Sequence, residues 1–572
     1  MRIKILAFFF LLAFIGVGAR LYYWQIVKGQ DLALQASYQY SDFKKFTAPR
    51  GSIYASDGTW LATMRQNWLL YSAITELEDS SKSIAEKIAP ILLEEKIEDE
   101  DYRQLLLEKI DDITSLLGKE GASWIPIEHK ISTEEKEKIE KLNIAGLGFE
   151  PEETRYYPES SSSAQLLGFV GKNEEGLDTG YFGLEGFYDI ALSGKSGVVS
   201  REKDVKGVPL LGQASSEIGA VSGADLVTHI NKRIQLSLEK NLKEGIERYG
   251  AKTATGIIMD PESGAIMAMG AYPSFDPVKY FDFSNELFKN PIISDVFEPG
   301  SVFKVLVMAS ALDAGVIELD TICDICDKPL KVDKYFIETW NNKYHPNSTM
   351  TEVIVNSDNV GMSFVASKLG ADKFYDYLDK FGINSLTGVD LQGEVSATMR
   401  KRGSWNLVDL ATSSFGQGIA LTPIQLINAV SAIANKGILM TPQVVDMVKI
   451  EGLSQDVKPK EVRRVISEDA ANNITIMMTE AAKSGESKWT NLPGFGVAGK
   501  TGTAQIPIAG HYDADKTIAS FVGFAPADDP KFVMLITLTE PQSSPWASET
   551  AAPLWYSVAR DLFNYFGIQP GN

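Results

Sequence analysis

Metal-ligating and redox residues are scarce in this chain. Its 572 residues include two cysteines and four histidines, the latter scattered at positions 129, 229, 345 and 511. One cysteine pair cannot make a four-thiolate zinc site, and the thin histidine supply argues against a metalloenzyme. Cys323 and Cys326 form Cys-Asp-Ile-Cys without a thioredoxin-like pattern around them, so a local disulfide or two free thiols fit better than redox catalysis. Positive charge is short as well. A formal net charge of −20 argues against nucleic acid as a partner and against peripheral attachment to anionic lipid.

Attachment to a membrane is better explained by the N-terminus. Ile5 to Val27 is apolar apart from Arg20 and Gln25, a length that suits a bilayer-spanning helix of ~20 residues. Arg2 and Lys4 precede it, which predicts a cytoplasmic N-terminus with the remainder outside. Arg20 lies near the outer end, where a long side chain can snorkel. A cleaved leader is the alternative, with Val17-Gly18-Ala19 as its cleavage site. The apolar run continues past that point through Leu21 to Trp24, which favours an anchor.

A chain this long should hold more than one domain and bury a large core. Residues 28–48 read as a polar stalk. Segment 50–220 reads as a pedestal with strands near Gly51–Tyr54 and Leu61–Ala62, amphipathic helices from Ser80 to Lys141, and a loop at serines 160–163. The Glu- and Lys-rich insert is a candidate partner-binding module or simply a solvated face. Gly219, Ser222 and Gly223 mark a boundary near 220. Beyond it come a helix over 231–249 and a hairpin of Thr255–Met259 with Ala265–Met269 around Asp260-Pro261-Glu262-Ser263-Gly264. A second hairpin pairs Ala519–Phe524 with Phe532–Leu538, and a helix from Thr550 to Phe566 closes the chain. The expected fold is multidomain α+β: a cytoplasmic tip and transmembrane helix at 1–27, stalk and elongated mixed pedestal at 28–220, and a domain at 221–572 whose antiparallel sheet is sandwiched by helices.

The chemistry resides in three motifs. Ser-x-x-Lys occurs at Ser41, Ser200, Ser237 and Ser301, and only the last has apolar surroundings. There Pro299-Gly300 favours a turn, and Val302, Phe303, Val305, Leu306, Val307 and Met308 predict a helix buried all round. A spacing of three puts Ser301 and Lys304 on one face, where the side chains can meet. A serine hydroxyl needs an adjacent base to become a nucleophile. Lysine titrates too high for that role until burial and a second cation lower its pKa, and Lys500 is the candidate second cation. The bland alternative is a lysine that snorkels from a core helix.

Ser357-Asp358-Asn359 follows in a loop entering the apolar segment Met362–Leu369. The Ser357 hydroxyl could relay a proton to a leaving group, and the Asn359 amide could hold a substrate carbonyl. Asp358 suits an ordinary helix cap pointing away from the site. Lys500-Thr501-Gly502 sits among small residues from Val497 to Ala504. An edge strand there could take up an extended peptide by strand addition and, with the Ser301 N–H, supply an oxyanion hole. Gly494–Thr501 also matches the phosphate-loop pattern letter for letter. That motif needs a helix opening at its lysine, and Gly502, Pro493 and Pro507 oppose one, so the match is by chance.

In this order the three motifs are those of penicillin-binding proteins and class A β-lactamases. The chain resembles class B penicillin-binding proteins over most of its length. The resemblance is carried by Arg20-Leu21 with Trp24-Gln25, and by Pro49-Arg50-Gly51-Ser52-Ile53 with Asp57-Gly58 and Leu61-Ala62. Arg155-Tyr156-Tyr157-Pro158, Leu167–Gly171, Gly183–Gly186, Phe415-Gly416-Gln417-Gly418 and Thr422-Pro423 extend it. Asp295–Ser301 is most similar to the cell-division branch.

The resemblance implies a five-stranded sheet with the site at its edge. It implies a D,D-transpeptidase of septal or lateral wall synthesis, in which Ser301 attacks the D-Ala–D-Ala carbonyl of a stem peptide. Lys304 would be the base, and Ser357 with Lys500 would pass a proton to the departing D-alanine. Thr501, Gly502 and Thr503 would line the substrate strand, the two threonines as carboxylate ligands and Asn359 as amide clamp. β-Lactams would acylate Ser301, no cofactor or metal is implied, and glycan polymerisation would come from a multispanning membrane polymerase working with division proteins. The rivals are a D,D-carboxypeptidase, a membrane-anchored β-lactamase, whose water-activating carboxylate is not identifiable here, and a non-enzymatic division scaffold, against which the intact motifs argue.

Overall fold

The computed structural model describes residues 2–32, 41–46, 48–93, 102–119, 121–202, 216–508 and 511–571. The chain divides into two compact units, one of residues 1–51 with 193–223 and one of residues 52–192 with 224–572.

In the first unit, Arg2–Tyr22 is an α-helix continued by a π-turn over Tyr23–Val27. The helix is long and apolar enough to cross a membrane, and none of it is buried in protein. An all-round apolar helix needs an apolar partner, and a bilayer supplies one. The expected polar stalk is corrected in part. Ser41–Phe46 is a strand paired antiparallel with Gly197–Glu202, which in turn pairs Ser216–Ile218. A short polar strand carries no hydropathy signal of its own when its partner lies far away in sequence. The rest of the stalk reading over 33–40 lies outside the described residues.

The second unit contains a seven-stranded sheet. Its central strand Trp60–Ala73 pairs with Ile53–Tyr54, Trp124–Ile131 and Leu147–Tyr156. Asp225–Thr228 runs parallel to Ile53–Tyr54 and antiparallel to Val445–Ile450, so segments on both sides of residue 220 share this sheet. The helical reading of Ser80–Lys141 needs correction. Ser81–Leu93, Tyr102–Leu117 and Thr133–Glu140 are helices, but Trp124–Ile131 is a strand. Its buried Ile125, Ile127 and Ile131 fall on odd positions, the period of a half-buried strand and not of a helix.

The second sheet of this unit is the scaffold of the site. Its strands are β1 (Thr253–Met259), β2 (Ile266–Tyr272), β3 (Ala498–Ile508), β4 (His511–Ala525) and β5 (Phe532–Thr539), in the spatial order β2-β1-β5-β4-β3. All neighbours are antiparallel, and both expected hairpins are present. Successive residues face opposite sides, as the strand period requires. Ile257, Val522 and Leu535 join one core cluster, while Ile258, Phe521 and Ile536 join another. The relevant helices are α1 (Lys232–Tyr249), α2 (Lys304–Asp313), α3 (Met350–Val355), α4 (Asn359–Leu369), α5 (Pro423–Ala434), α6 (Glu468–Ser484) and α7 (Ala551–Phe566). Helices α2 and α5 cover one face of the sheet, and α1 with α7 cover the other through Leu238, Leu242 and Trp555. Helix α1 starts where Asn231 caps the Arg233 and Ile234 N–H groups and ends at Gly250, whose φ of +62° suits glycine.

Candidate active site

Ser301 lies in a single 3₁₀ turn, Gly300–Phe303, which feeds directly into α2. Two glycines allow this turn to press against its neighbours. Gly300 has φ +58°, and a Cβ there would come within 3.0 Å of the Thr503 carbonyl. Gly416, at φ +83°, has room for no side chain, because a Cβ would lie 2.2 Å from the Gly300 carbonyl. The Gly300 N–H donates to the Gly416 carbonyl at 3.2 Å, and Phe297 and Leu421 exchange N–H···O bonds at 3.0 and 3.1 Å. The Phe415–Gly418 motif thus supports the serine turn from behind.

Lys304 is fully buried, and its ammonium spends its donors on one partner segment. Nζ donates to the Ser357 carbonyl at 2.6 Å, the Ser357 hydroxyl at 3.2 Å and Asn359 Oδ1 at 2.8 Å. Burial first, then the charge of Lys500, pull its pKa down to about 7, against the opposing charges of Glu486 and Asp358. A lysine so placed is neutral in a large fraction near neutral pH, which suits a base. The expected meeting of Ser301 and Lys304 is not a hydrogen bond here. Among the described residues no hydrogen bond engages the Ser301 hydroxyl, and the Lys304 donors go to Ser357 and Asn359 instead.

Ser357 sits between α3 and α4 with φ +53°, a left-handed conformation that a non-glycine residue rarely adopts. The residues around it hold it there. Its N–H donates to the Ile354 carbonyl at 3.2 Å, and the Asp358 carboxylate caps α4 by accepting from the Val360 and Gly361 N–H groups at 2.8 and 3.1 Å. Asp358 acts as the cap expected of it. Asn359 Nδ2 donates to the Glu338 carbonyl at 2.9 Å, which fixes the amide with its oxygen toward Lys304.

Lys500 approaches from β3, the edge strand, and no helix opens at it, so the phosphate-loop match is indeed a chance one. Its Nζ donates to the Ser357 hydroxyl at 3.0 Å and to the Thr501 carbonyl and hydroxyl, each at 3.2 Å. Burial lowers its pKa and the charge of Glu486 opposes that shift. The Ser357 oxygen therefore accepts from two lysines and keeps its own proton to give. Gly502 has a packing task. A Cβ there would lie 2.8 Å from Val302 Cγ1 and 2.9 Å from the Pro299 carbonyl, so its absence lets the serine turn rest on the strand. Thr503 Oγ1 accepts from the Ala547 N–H at 3.1 Å.

Sequence reasoning assigns no role to three further groups at the site. Glu486 accepts from the Thr501 hydroxyl at 2.7 Å, fifteen residues away in the chain, a spacing no motif specifies. Glu298 accepts from the Tyr512 hydroxyl at 3.1 Å and from the Gly418 N–H at 3.1 Å. Trp340 donates to the Asn356 carbonyl at 3.3 Å and packs on Trp546 with centroids 5.1 Å apart, linking the Ser357 side of the site to the Thr503 side. Cys323 and Cys326 form a buried disulfide, tied to the segment before α3 by Cys323 N–H to Ser348 and His345 N–H to Cys326 bonds. Among the described residues no group of three His, Cys, Asp or Glu side chains could hold a metal ion.

Comparison with known proteins agrees with this geometry. The penicillin binding protein transpeptidase domain family matches residues 254–563, more than half of the chain, and the penicillin-binding protein dimerisation domain family matches residues 45–228. The chain belongs to the penicillin-binding protein transpeptidase family. Its two matched domains make it a class B penicillin-binding protein. It is 30% identical to stage V sporulation protein D of Bacillus subtilis, over all of this chain and 86% of that one. It is 27% identical to the probable peptidoglycan D,D-transpeptidase PenA of Neisseria meningitidis, over 97% of this chain and 91% of that one. The penicillin-binding fold also superposes on penicillin binding protein 2X from Streptococcus thermophilus. The TM-score is 0.74 at 24% identity, covering 92% of this chain and 80% of that one.

Proposed function

We propose that this class B penicillin-binding protein is a membrane-anchored peptidoglycan D,D-transpeptidase that works through an acyl-enzyme on Ser301. The observation that carries the reading is the Ser357 hydroxyl held by both Lys304 and Lys500, at 3.2 and 3.0 Å, beside the turn that bears Ser301. Neutral Lys304 takes the proton of Ser301 as Oγ bonds to the carbonyl carbon of the penultimate D-alanine. The peptide C–N bond then breaks, and the departing D-alanine amine takes a proton from Ser357, which Lys500 replenishes. An amine of a neighbouring stem peptide then attacks the ester and gives up a proton that passes through Ser357 to Lys500, while Lys304 returns its proton to the departing Ser301 oxygen and the cross-link is complete. N–H groups of Ser301 and of β3 receive the oxyanion, each such donor being worth roughly 2.7–4 kcal/mol of barrier. Thr501 and Thr503 face the substrate carboxylate, and Asn359 holds its amide.

The helix Arg2–Val27 anchors the chain, with the N-terminus in the cytoplasm and the site outside. The division of labour is 1–27 for the anchor, 28–220 for the stalk and pedestal, and 221–572 for catalysis. The partners are a multispanning membrane glycan polymerase and the division proteins that place it, with septal wall as the site of action and lateral wall as the alternative. The test has two stages. A fluorescent penicillin should label the protein stoichiometrically and persistently, with the label lost in Ser301→Ala. Product analysis on lipid-linked stem peptides should then yield cross-linked dimers. Release of D-alanine without dimers would instead indicate a carboxypeptidase, and rapid loss of the label a β-lactamase.

A further inference from the structure

We propose that Glu486 determines the charge preference of the site, holding the Thr501 hydroxyl so that an anionic ligand binds against a fixed negative charge and an uncharged one does not. The inference rests on the reading above, in which Ser301 is acylated and Thr501 with Thr503 meets the ligand carboxylate. Thr501 has one hydroxyl proton, and it is donated to Glu486 Oε2 at 2.7 Å, while the lone pairs of the same oxygen face Lys500 Nζ at 3.2 Å. A carboxylate arriving at Thr501 must take that proton from Glu486 and remain beside its charge. Thr503 differs. Its oxygen accepts from the Ala547 N–H at 3.1 Å, which leaves its proton free for a ligand.

The carboxylate is held in place by the fold. Gly485 ends α6, and a Cβ there would come within 2.4 Å of the Ala481 carbonyl and 3.0 Å of the Val355 carbonyl, so the turn is pressed onto the end of α3 just ahead of Ser357. Ser487, the next residue after Glu486, is buried and its carbonyl accepts from Thr490. Among the described residues no lysine, arginine or histidine lies within ion-pair distance of Glu486. Its charge is balanced by the Thr501 hydroxyl and by the nearby Lys500 and Lys304 ammonium groups, and an incoming carboxylate would draw on the first two. Two carboxylates sharing one set of donors repel, and the resident one is tethered.

The test compares one β-lactam in two charge states, benzylpenicillin and its methyl ester, on the full-length protein in detergent. Acylation of Ser301 is followed by intact mass. At about pH 8.5, where Lys304 is largely neutral in wild type and variant alike, Glu486→Gln should accelerate the free acid about tenfold and leave the ester within about twofold. Glu486→Asp, which keeps the charge, should retain the wild-type ratio of the two rates. Glu486→Thr removes the charge in a second way should the glutamine variant be unstable. Equal acceleration of both ligands, or none, would overturn the role of Glu486 while leaving the acyl-enzyme in place. Absence of any Ser301 adduct with either ligand, in wild type and variants alike, would overturn the proposed function and this inference with it.

Discussion

Two helices of this protein are apolar nearly all round, and they end up in opposite surroundings. Arg2–Tyr22 has no buried residue, whereas in α2 every residue from Lys304 to Ala311 is buried. Neither has a polar stripe to turn toward water, so each must find apolar surroundings on every side. Length decides which kind. The first helix, extended to Val27, is 26 residues long and reaches across a bilayer, while α2 has 10 residues and can only be a core element. Each also carries a cation, with opposite consequences. Arg20 sits near one end, where it can reach the headgroups, but Lys304 is fully buried and donates to Ser357 and Asn359 instead. The apolar run gives α2 its place, and the proposed chemistry rests on the trapped lysine.

The comparison is sharpened most by removing the trapped charge. Lys304→Met keeps the length of the side chain and should lower the acylation rate by about 10³-fold, within the range expected for loss of a general base. The same change leaves the Ser357 carbonyl and Asn359 Oδ1 without the Lys304 donor, so stability should fall by about 1–3 kcal/mol. Acylation kinetics and a melting curve on one preparation check both halves. A buried core residue of the serine turn behaves differently. Phe303→Ala should cost about 3–5 kcal/mol in unfolding free energy, while Phe9→Ala on the anchor should cost almost nothing in the same denaturant titration. Equal losses would mean that the first helix is packed on protein after all.

Smaller effects test how the lysine is held. Asp358→Ala removes the cap of α4 and should cost about 1–2 kcal/mol. It should also lower the pKa of Lys304 further, since the Asp358 charge raises it. Lys500→Met works in the opposite sense. Loss of the neighbouring cation should move the Lys304 pKa up, so the rise of acylation with pH should begin at a higher pH than in wild type.

Much of this site was legible because its chemistry is compressed into short motifs. Ser301 and Lys304 are three apart, Asp358 sits directly at the cap position of α4, and the hairpin strands carry their own turn signals. Resemblance supplied the five-stranded count, which periodicity could not. The rest depends on pairings between segments far apart in the chain. Glu486 meets Thr501 only because α6 packs beside β3, and Trp340 meets Trp546 only because two loops far apart in the chain converge. Strand Trp124–Ile131 was hidden by charged flanks that read as helix, and strand Ser41–Phe46 by its polarity. Gly502, expected on the substrate strand, also has a packing task that shows only once the position of Val302 is known.

The central claim is that Lys304 is the base for Ser301 and is neutral in a large fraction near neutral pH because the fold pulls its pKa to about 7. A base must be unprotonated to act, so the sign is fixed. The measurement is the second-order rate of Ser301 acylation by benzylpenicillin between about pH 5 and pH 8.5, read by intact mass on the full-length protein. The account predicts a rate that rises about tenfold per pH unit at the acid end and levels off above a midpoint near 7. A flat profile, or one still rising to the alkaline limit as an ordinary lysine would require, would contradict it.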